Sequence, residues 1–343
     1  MTTLVTGTAG FIGSFVALRL LESGEAVIGL DNVNDYYDVS LKKARLARLT
    51  RFANFTEARI DLENRAAVAE LFRTRRPQVV IHLAAQAGVR YSLEAPHTYL
   101  DSNLVGLGTV LEGCREVGVR HLLFASSSSV YGTNTKLPFS VDDPVDHPIS
   151  LYAATKRAGE LMVHTYAHLF NVPSTCLRFF TVYGPWGRPD MALFLFTEAI
   201  HAGRPIKVFN NGEMRRAFTY IDDIVECIIR LIERVPTPSE SQKPSPAISA
   251  LAPFRVLNLG SEETVQLERY IELIEKGLGK KAIKEYMPMQ MGDVPTTWAD
   301  ASELTALIGW QPTTTVEDGV QAFVEWYKEY YSLDRPTSLA AGR

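Results

Sequence analysis

The chain has 343 residues, of which 46% are hydrophobic and 22% charged, as in an ordinary globular protein. Its net charge of -4 argues against a nucleic-acid-binding protein, whose contact surface would be basic. No stretch approaches the roughly 20 apolar residues that span a bilayer, and no basic and apolar leader opens the sequence, so we expect a soluble, cytoplasmic protein with no membrane partner.

The first half of the chain alternates strand-like and helix-like segments. The predicted strands are residues 3–5, 26–30, 55–60, 79–83, 121–125 and 174–179. The predicted helices are residues 11–23, 65–73, 103–117 and 152–170. Strands and helices that alternate at this spacing predict an α/β fold built on a Rossmann-type, doubly wound parallel sheet.

After residue 180 the apolar runs shorten, and proline and glycine become more frequent. The clearest predicted helices there are residues 191–202, 222–234, 267–278 and 316–331. We therefore expect a first region, residues 1–180, and a smaller, mixed α/β region, residues 181–331, interleaved with it. Residues 236–253, rich in proline and serine, are expected to form an exposed flexible insertion, and residues 332–343 a frayed tail.

A glycine-rich run, Gly7, Gly10 and Gly13, follows the first predicted strand. Glycines allow a tight turn and let the backbone approach a pyrophosphate at the N-terminus of the next helix. The spacing differs from the usual Gly-x-Gly-x-x-Gly, but the run opens a helix, and Asp31 ends the second strand. An aspartate there accepts hydrogen bonds from the adenosine ribose and repels a 2′-phosphate, so the pattern favours NAD over NADP. The alternative is a tight turn without a ligand.

Tyr152 and Lys156 are four residues apart, about one helical turn, so both side chains project from the same helix face. A lysine ammonium beside a phenol favours the phenolate and can make tyrosine a base near neutral pH. The alternative is an ordinary surface pair. The nucleotide-binding start and the serine cluster of residues 126–129 favour the catalytic interpretation.

The chain resembles the extended short-chain dehydrogenases/reductases over most of its length, from residue 3 to residue 330. The resemblance is carried by TGTAGFIG (6–13), LAA (83–85), Asn103, SSSSVYG (126–132), YxxxK (152–156), RFFTVYGP (178–185), RAFTYIDD (216–223) and NLG (258–260). Within this family the chain is similar to the nucleotide-sugar 4-epimerases, and most of all to those that act on UDP-glucuronate, through residues 31–37, 86–90 and 184–191. The family often has an aspartate where this chain has Ala217.

The resemblance implies that Tyr152 removes the proton of the sugar 4-hydroxyl as hydride passes from C4 to NAD. Lys156 would lower the tyrosine pKa and bind the nicotinamide ribose, and Ser127 would align the 4-oxygen. The 4-keto sugar would then rotate and take the hydride back on its other face, so NAD stays bound. UDP-glucuronate would become UDP-galacturonate.

The resemblance also implies the binding residues and the assembly. The NAD-binding residues would be Gly7, Gly10, Phe11, Ile12, Gly13, Asp31, Asn32, Asp61, Leu62, Leu83, Ala84, Ala85, Asn103, Tyr152 and Lys156. The UDP-sugar residues would be Gln86, Arg90, Ser127, Ser128, Ser129, Thr181, Arg188, Lys207, Phe209, Arg216 and Asp293. Residues 1–180 would bind NAD and carry the catalytic groups, and residues 181–331 would bind the UDP-sugar. A homodimer is expected through helix 103–117 and the helix of Tyr152.

Ser128 and Ser129 stand where related 4,6-dehydratases carry an Asp-Glu pair. Eliminating water needs an acid and a base, which serine does not supply, so dehydration is not expected. Oxidation at C4 of a glucuronate makes its C6 carboxylate part of a β-keto acid, which loses carbon dioxide when the breaking bond aligns with the carbonyl π system. Ser128, Ser129, Thr181 and Arg188 are predicted to hold the carboxylate out of that alignment. The alternatives are a structural ion pair for Arg188 and an ordinary strand end for Thr181.

Other functions stay open from the sequence alone. They are a UDP-glucuronate decarboxylase, a 4-epimerase of UDP-glucose or a UDP-N-acetylhexosamine, and a catalytically silent NAD-binding scaffold. No metal is expected, because the start of a helix explains the carboxylates of Asp222 and Asp223. The three cysteines, Cys114, Cys176 and Cys227, are widely spaced, form no metal or redox motif and are typical of a reducing compartment.

Overall fold

The computed structural model describes residues 1–238, 247–290 and 294–333. The strands among them are β1 (Thr2–Thr6), β2 (Ala26–Leu30), β3 (Phe55–Ala58), β4 (Val79–His82), β5 (His121–Ser127), β6 (Ser174–Phe179), β7 (Thr181–Tyr183), β8 (Pro205–Val208), β9 (Arg215–Arg216), β10 (Phe218–Tyr220), β11 (Phe254–Leu259), β12 (Val265–Gln266), β13 (Ile283–Tyr286) and β14 (Thr296–Thr297). The helices are α1 (Phe11–Glu22), α2 (Val39–Leu49), α3 (Arg65–Arg75), α4 (Tyr91–Glu94), α5 (Pro96–Leu100), α6 (Gly106–Val117), α7 (Leu151–Phe170), α8 (Ala192–His201), α9 (Ile221–Ile232), α10 (Leu267–Leu278), α11 (Ser302–Ile308) and α12 (Val316–Tyr330).

Seven of the described strands form one parallel sheet, in the order β11-β6-β5-β4-β1-β2-β3. The six strands predicted in the first half of the chain all belong to it, so the predicted Rossmann-type fold is confirmed. The chain runs outward in one direction through β2 and β3 and in the other through β4, β5 and β6. A crevice therefore opens between the carboxyl ends of β1 and β4, where open α/β sheets bind their ligands.

Both faces of this sheet are buried, because successive side chains of a strand point to opposite sides. On one face Val5 and Ile81 join a core with α1 and α9. On the other face Leu4 and Val80 join a core with α3, α6 and α7. The sheet is thus fixed from both sides, and only its strand ends are open to a ligand.

The second region, residues 181–331, has its own apolar core, and it also adds a strand and a helix to the first region. Tyr183, Phe194, Tyr270 and Phe323 form the centre of a separate apolar cluster with α8, α10 and α12. Strand β11 and helix α9 follow residue 180 in the chain, yet β11 pairs with β6, and α9 packs against α1. The two regions are therefore interleaved in space.

Two local features differ from the sequence-based expectations. Helix α2 was not predicted, because its buried stripe includes the cations Lys42 and Arg45 beside Leu41, Leu46 and Leu49. The described end of the expected insertion, residues 247–253, is not exposed throughout. Ala247 and Ala252 are fully buried, because Ala247 accepts the N–H of Val256 at 2.7 Å and so folds back on β11. Residues 239–246 of the insertion and 334–343 of the tail lie outside the described residues.

The three cysteines are buried free thiols. Burial raises the pKa of Cys114, Cys176 and Cys227, so each serves as a small apolar core residue. Among the described helices, none combines the length and the apolar character needed to cross a membrane.

Candidate active site

The glycine loop joins β1 to α1 at the crevice of the sheet. Gly7 has a φ of +80°, and a Cβ atom there would lie 2.9 Å from the backbone nitrogen of Ala84. A Cβ atom on Gly13 would collide with the carbonyl oxygen of Gly7. Gly10 donates its N–H to that same oxygen at 2.9 Å and caps α1 without a side chain. The loop thus explains the three-residue glycine spacing, and it presents the N-terminus of α1 to an anion.

Asp31, directly after β2, faces this loop. Its Oδ2 accepts the N–H of Ala9 at 2.9 Å, and its Oδ1 accepts the N–H of Val33 at 2.8 Å. Burial raises the pKa of Asp31, and the two N–H donors offset part of the rise. The next residue, Asn32, donates to Asp61 at 2.8 Å, and so joins the ends of β2 and β3. The structure thus brings together the residues predicted at these strand ends.

Thr6, at the end of β1, fixes the loop after β4. Its hydroxyl oxygen accepts the N–H groups of Leu83 at 3.1 Å and Ala84 at 3.0 Å. The hydroxyl hydrogen is then free to be donated to Nδ1 of His82, 2.8 Å away. Leu83, Ala84 and Ala85 remain partly exposed, on the rim of the crevice.

Asn103 ties the same loop to the helix that carries the tyrosine. Its Oδ1 accepts the N–H of Gln86 at 2.8 Å, and its Nδ2 donates to the Gln86 carbonyl and to the Thr155 hydroxyl, both at 3.1 Å. A π-helical turn, Asp101–Val105, contains Asn103 and precedes α6. The predicted helix start at residue 103 is therefore a π turn, a feature often found at functional sites.

Tyr152 and Lys156 lie in the first two turns of α7, which is capped by Ser150. The Lys156 Nζ lies 5.9 Å from the centre of the Tyr152 ring and donates to the Ala125 carbonyl at 2.7 Å. Both residues are therefore held at the carboxyl end of β5. The surface pair considered as the alternative is wrong, because Lys156 is only 4% exposed.

Burial shifts the pKa of both residues, and two neighbouring groups modify the pKa of Tyr152. Burial raises the pKa of Tyr152, while the Ser127 hydroxyl and the charge of Arg188 lower it in part. Burial lowers the pKa of Lys156 to about 8. The charge of Arg188, from the second region, therefore favours the phenolate, and the predicted contribution of Lys156, whose Nζ lies 5.9 Å from the ring centre, stays a prediction.

The serine cluster forms the end of β5 and the 3₁₀ turn Ser128–Tyr131. The Ser127 hydroxyl accepts the N–H of Ser129 and donates to the Ser129 hydroxyl, both at 3.2 Å. Ser127 also pairs in register with Phe179 of β6. Thr181 follows two residues later and so emerges at the same edge of the sheet, beside the serine turn.

Arg188 lies in the loop between β7 and α8. Its Nε donates to Oδ1 of Asp190 at 3.0 Å, and its Nη2 donates to Oδ2. The Tyr36 hydroxyl donates to the same Oδ2 at 3.2 Å. The ion pair considered as the alternative for Arg188 is therefore present, and the charge of the same residue acts on Tyr152.

Sequence reasoning missed several residues around this loop. Arg45 of α2 is fully buried and donates to the carbonyls of Ala9, Trp186 and Gly187. It thus joins the glycine loop to the loop of Arg188. Tyr36 and Asp190 lie in the runs 31–37 and 184–191 that carry the resemblance, and nothing else in the sequence indicated that they lie near the site. Arg45 had no signal, because a cation inside a buried stripe obscures the helical pattern.

The residues predicted to bind the nucleotide of the substrate are partly brought together. The guanidinium of Arg90 lies 5.3 Å from the centre of the Phe209 ring. Lys207 is an exposed residue of β8. Nη1 of Arg216 donates to the carbonyls of residues 215 and 295, both at 3.0 Å. Asp293 lies outside the described residues.

Ala217 follows Arg216, at the position where the family often has an aspartate, and the structure shows its surroundings. Ala217 is fully buried in an apolar cluster with Tyr131, Phe139 and Phe180. Its N–H donates to the Thr297 carbonyl at 2.9 Å. The backbone of this segment is therefore held by β14, whatever side chain follows the arginine.

Comparison with known proteins identifies the family. The NAD dependent epimerase/dehydratase family matches residues 3–242. The chain belongs to this family. Its match spans the glycine loop, the serine turn, the tyrosine and lysine of α7 and the loop of Arg188.

Individual relatives extend the match to nearly the whole chain. The chain is 53% identical to "Protein CapI" of Staphylococcus aureus, over 96% of this chain and 99% of that protein. It is 52% identical to the "Probable UDP-glucuronate 4-epimerase" of Rhizobium meliloti (strain 1021), over 96% and 98%. Among solved structures, it is similar to UDP-glucuronic acid 4-epimerase from Bacillus cereus in complex with UDP-glucuronic acid and NAD. The TM-score is 0.86 at 33% identity, over 96% of this chain and 100% of that one.

Proposed function

We propose that the protein is an NAD-dependent epimerase that interconverts UDP-glucuronate and UDP-galacturonate at C4. One observation carries the proposal: Lys156 lies one turn from Tyr152 on α7 and is anchored on the Ala125 carbonyl of β5, the strand that ends at Ser127. The names of the relatives and the bound ligands of the Bacillus cereus enzyme support the same reaction and sugar.

The crevice of the sheet fits NAD. A side chain on Gly7 or Gly13 would clash with the backbone of Ala84 or of Gly7, so the glycines let the loop pack closely at the N-terminus of α1, where a pyrophosphate would bind, and Asp31 stands where an adenosine ribose would be bound. We assign NAD binding to Gly7, Gly10, Phe11, Ile12, Gly13, Asp31, Asn32, Asp61, Leu62, Leu83, Ala84, Ala85, Asn103, Tyr152 and Lys156, within residues 1–180. When bound, NAD accepts hydride from the sugar and returns it.

Tyr152 would accept the proton of the sugar 4-hydroxyl. Burial raises the pKa of Tyr152, and Arg188 and Ser127 oppose that rise and so favour the phenolate that would accept the proton. Ser127, at the end of β5, orients the 4-oxygen toward the phenol. Lys156 is anchored on the Ala125 carbonyl and would bind the nicotinamide ribose.

The UDP-sugar is assigned to residues 181–331 together with the strand ends of the first region. Arg90 and Arg216 would bind the pyrophosphate, and Lys207 and Phe209 the uracil. Gln86 lines the sugar site beside Asn103. Ser128, Ser129, Thr181 and Arg188 would hold the C6 carboxylate, since hydroxyls and a guanidinium fix a carboxylate in one orientation.

We also propose a homodimer in the cytoplasm. Leu100 and Val105 beside α6, and Leu161 and Leu169 on α7, are large apolar side chains between 37% and 63% exposed. A groove of about 800 Å³ beside α6 is lined by Leu104, Val105 and Gly108. Apolar surface of this kind is typical of a face that a partner covers. The three buried thiols are compatible with a reducing compartment.

The test is to incubate the purified protein with UDP-glucuronate and identify the products by NMR. UDP-galacturonate supports the proposal. A UDP-pentose as the main product would instead identify a decarboxylase, and turnover of UDP-glucose or a UDP-N-acetylhexosamine alone would identify a different 4-epimerase. Bound NAD without any turnover would contradict the proposal in favour of a silent scaffold.

The Tyr152→Phe substitution tests the assigned base. We expect turnover of UDP-glucuronate to fall by about 10²- to 10⁴-fold, the usual contribution of a positioned acid–base group. NAD should remain bound, because only a hydroxyl is lost. The matched control is Tyr166→Phe on the same helix, whose hydroxyl donates to Glu112 away from the site. A Tyr152→Phe variant as active as the Tyr166→Phe variant would show that another group moves the proton.

A further inference from the structure

Arg188 is held by a contact that crosses from the first region of the chain to the second. Asp190 accepts two hydrogen bonds from the Arg188 guanidinium and a third from the Tyr36 hydroxyl. Tyr36 belongs to the segment after β2, whereas Arg188 and Asp190 belong to the loop before α8. The side chains of Arg188 and Asp190 are only 23% and 29% exposed, so this is a largely desolvated ion pair with a defined geometry.

The ring of Tyr36 is held in turn by a row of aromatic side chains that ends at the catalytic tyrosine. Its centre lies 4.8 Å from that of Tyr91, which lies 6.3 Å from Tyr99, which lies 6.2 Å from Tyr152. The Tyr99 hydroxyl donates to the carbonyls of Ala87 and Gly88, and so fixes the middle of the row. Tyr36 is therefore a rigid donor to Asp190 rather than a mobile surface side chain.

The protonation states suit this arrangement. Burial raises the pKa of Tyr36 to about 12, so its hydroxyl keeps the proton that it donates. Burial alone would raise the pKa of Asp190, but Arg188 outweighs that effect and lowers it, so Asp190 stays ionised. A guanidinium has five N–H donors, and Asp190 engages Nε and Nη2, which leaves the Nη1 side of Arg188 directed elsewhere.

We propose that Tyr36 and Asp190 are positioning residues that fix the orientation of Arg188, and that through it they determine whether the 4-keto sugar is epimerised or decarboxylated. The inference rests on the proposed function, in which Arg188 binds the C6 carboxylate. Asp190 aligns one edge of the guanidinium, and Tyr36 prevents the carboxylate of Asp190 from rotating with it. The substrate carboxylate then meets a guanidinium in one plane, and the C5–C6 bond is held out of alignment with the C4 carbonyl.

The alternative outcome is a defined reaction. When the C5–C6 bond aligns with the carbonyl π system, it breaks, carbon dioxide leaves, and the electron pair forms the enolate of C4 and C5. C5 then takes a proton from water, and the product is a UDP-4-keto-pentose. No oxidant is needed beyond the one that formed the ketone, and the hydride removed from C4 would stay on the cofactor. A looser Arg188 therefore changes the product and leaves the oxidation at C4 in place.

We call Tyr36 and Asp190 together the clamp. Tyr36→Phe and Asp190→Asn test it, with Tyr91→Phe as the matched control. Tyr36→Phe removes one hydroxyl and keeps the ring, and Asp190→Asn removes the charge and keeps the shape. Tyr91→Phe makes the same change on the next ring of the row. We expect the ratio of UDP-4-keto-pentose to UDP-galacturonate to rise about two- to tenfold in both clamp variants, the range expected for one lost hydrogen bond. The ratio should stay at the wild-type value in the control.

A binding measurement separates this inference from the proposed function. Calorimetry on the NAD-loaded protein gives the Kd of UDP-glucuronate and of UDP-glucose, which differ at C6. We expect the preference for UDP-glucuronate to fall in Tyr36→Phe and to persist in Tyr91→Phe, whether or not the wild type turns the sugar over. Unchanged preference together with an unchanged product ratio in Tyr36→Phe would overturn the clamp. Absence of UDP-galacturonate from the wild-type reaction would overturn only the proposed function, and the binding preference would still decide the clamp.

Discussion

At the scale of single residues, Arg45 shows how one buried cation organises two loops. All of its hydrogen-bonding nitrogens are engaged, and three of its acceptors are backbone carbonyls of the glycine loop and of the loop before Arg188. Trp186, one of those acceptors, has a φ of +63°, a conformation that is strained for a large side chain. The guanidinium thus stabilises a backbone turn that would otherwise be unfavourable, and this turn carries Arg188.

Replacing Arg45 by lysine should therefore be a severe change, although it keeps the charge. A lysine amine cannot reproduce the planar fork, so buried carbonyls lose their donors, at a cost of about 1–3 kcal/mol of unfolding free energy. Urea unfolding measures that loss, and we expect UDP-glucuronate turnover to fall with it. The control is Arg51→Lys on the exposed surface, expected to stay within about 0.5 kcal/mol of wild type. Equal stability of the two variants would contradict this account.

At the scale of elements, a buried ionic network joins α7, β5 and β6 next to the candidate active site. Glu160 of α7 accepts from Ser126 at the end of β5, and from two nitrogens of Arg178 on β6. Arg178 also donates to Tyr131 at the end of the serine turn. The helix of the tyrosine, the strand of the serines and the neighbouring strand are thus bound to one another at a single point, directly beneath the predicted catalytic groups.

Breaking this network from one side should destabilise the fold. Arg178→Met removes the buried counter-ion of Glu160 and leaves it only the partly exposed Arg157 at 3.0 Å, and we expect the unfolding free energy to fall by about 3 kcal/mol in urea. The matched control is Arg120→Met, which breaks the exposed bidentate pair with Glu233 and should cost no more than about 1 kcal/mol. The account is wrong if the two arginine substitutions cost the same.

The elements also show where local pattern was sufficient. Strands β2 and β4 of the first half are buried, continuous apolar runs, and such runs indicate strands wherever they pair. The sequence of β11 indicates a strand as well, but nothing local assigns it to β6, whose partner residues lie 80 positions earlier. Helix α2 escaped prediction for the opposite reason, since tertiary contacts bury two of its cations.

At the scale of the whole molecule, the interleaving of the two regions creates the site. Tyr36, Tyr152 and Ser127 come from the first region, and Arg188 and Asp190 come from the second. Helix α9 and strand β11 anchor the second region on the sheet, so that its loops are fixed relative to the strand ends. Neither region alone contains both the proposed base and the cation that we propose binds the sugar carboxylate.

The pH dependence of stability is also a property of the whole fold, because two histidines are buried as neutral side chains. Burial lowers the pKa of His82 to about 3 and that of His121 to about 4. Below about pH 6.5 the unfolded chain binds protons at both positions and the folded chain does not, so the free energy of unfolding should fall steadily as the pH drops toward 4.

Urea unfolding at a series of pH values measures this slope. His121→Gln removes one of the two protons taken up on unfolding and should make the loss below pH 6.5 shallower, whatever its effect on stability at neutral pH. His97→Gln, at an exposed position, should leave the slope unchanged. A His121→Gln slope equal to that of wild type would mean that His121 does not contribute to the acid sensitivity.

The sequence by itself determined the class of the fold, the glycine loop with Asp31, and the tyrosine, lysine and serine cluster, because each is written in residues close together in the chain. Tertiary structure decided how the loop of Arg188 is supported and which surroundings Arg45 and Asp190 have. That support depends on contacts between residues more than 130 positions apart, Tyr36 with Asp190 and Arg45 with Trp186. Electrostatic effects depend on distance and burial, and a linear pattern contains neither.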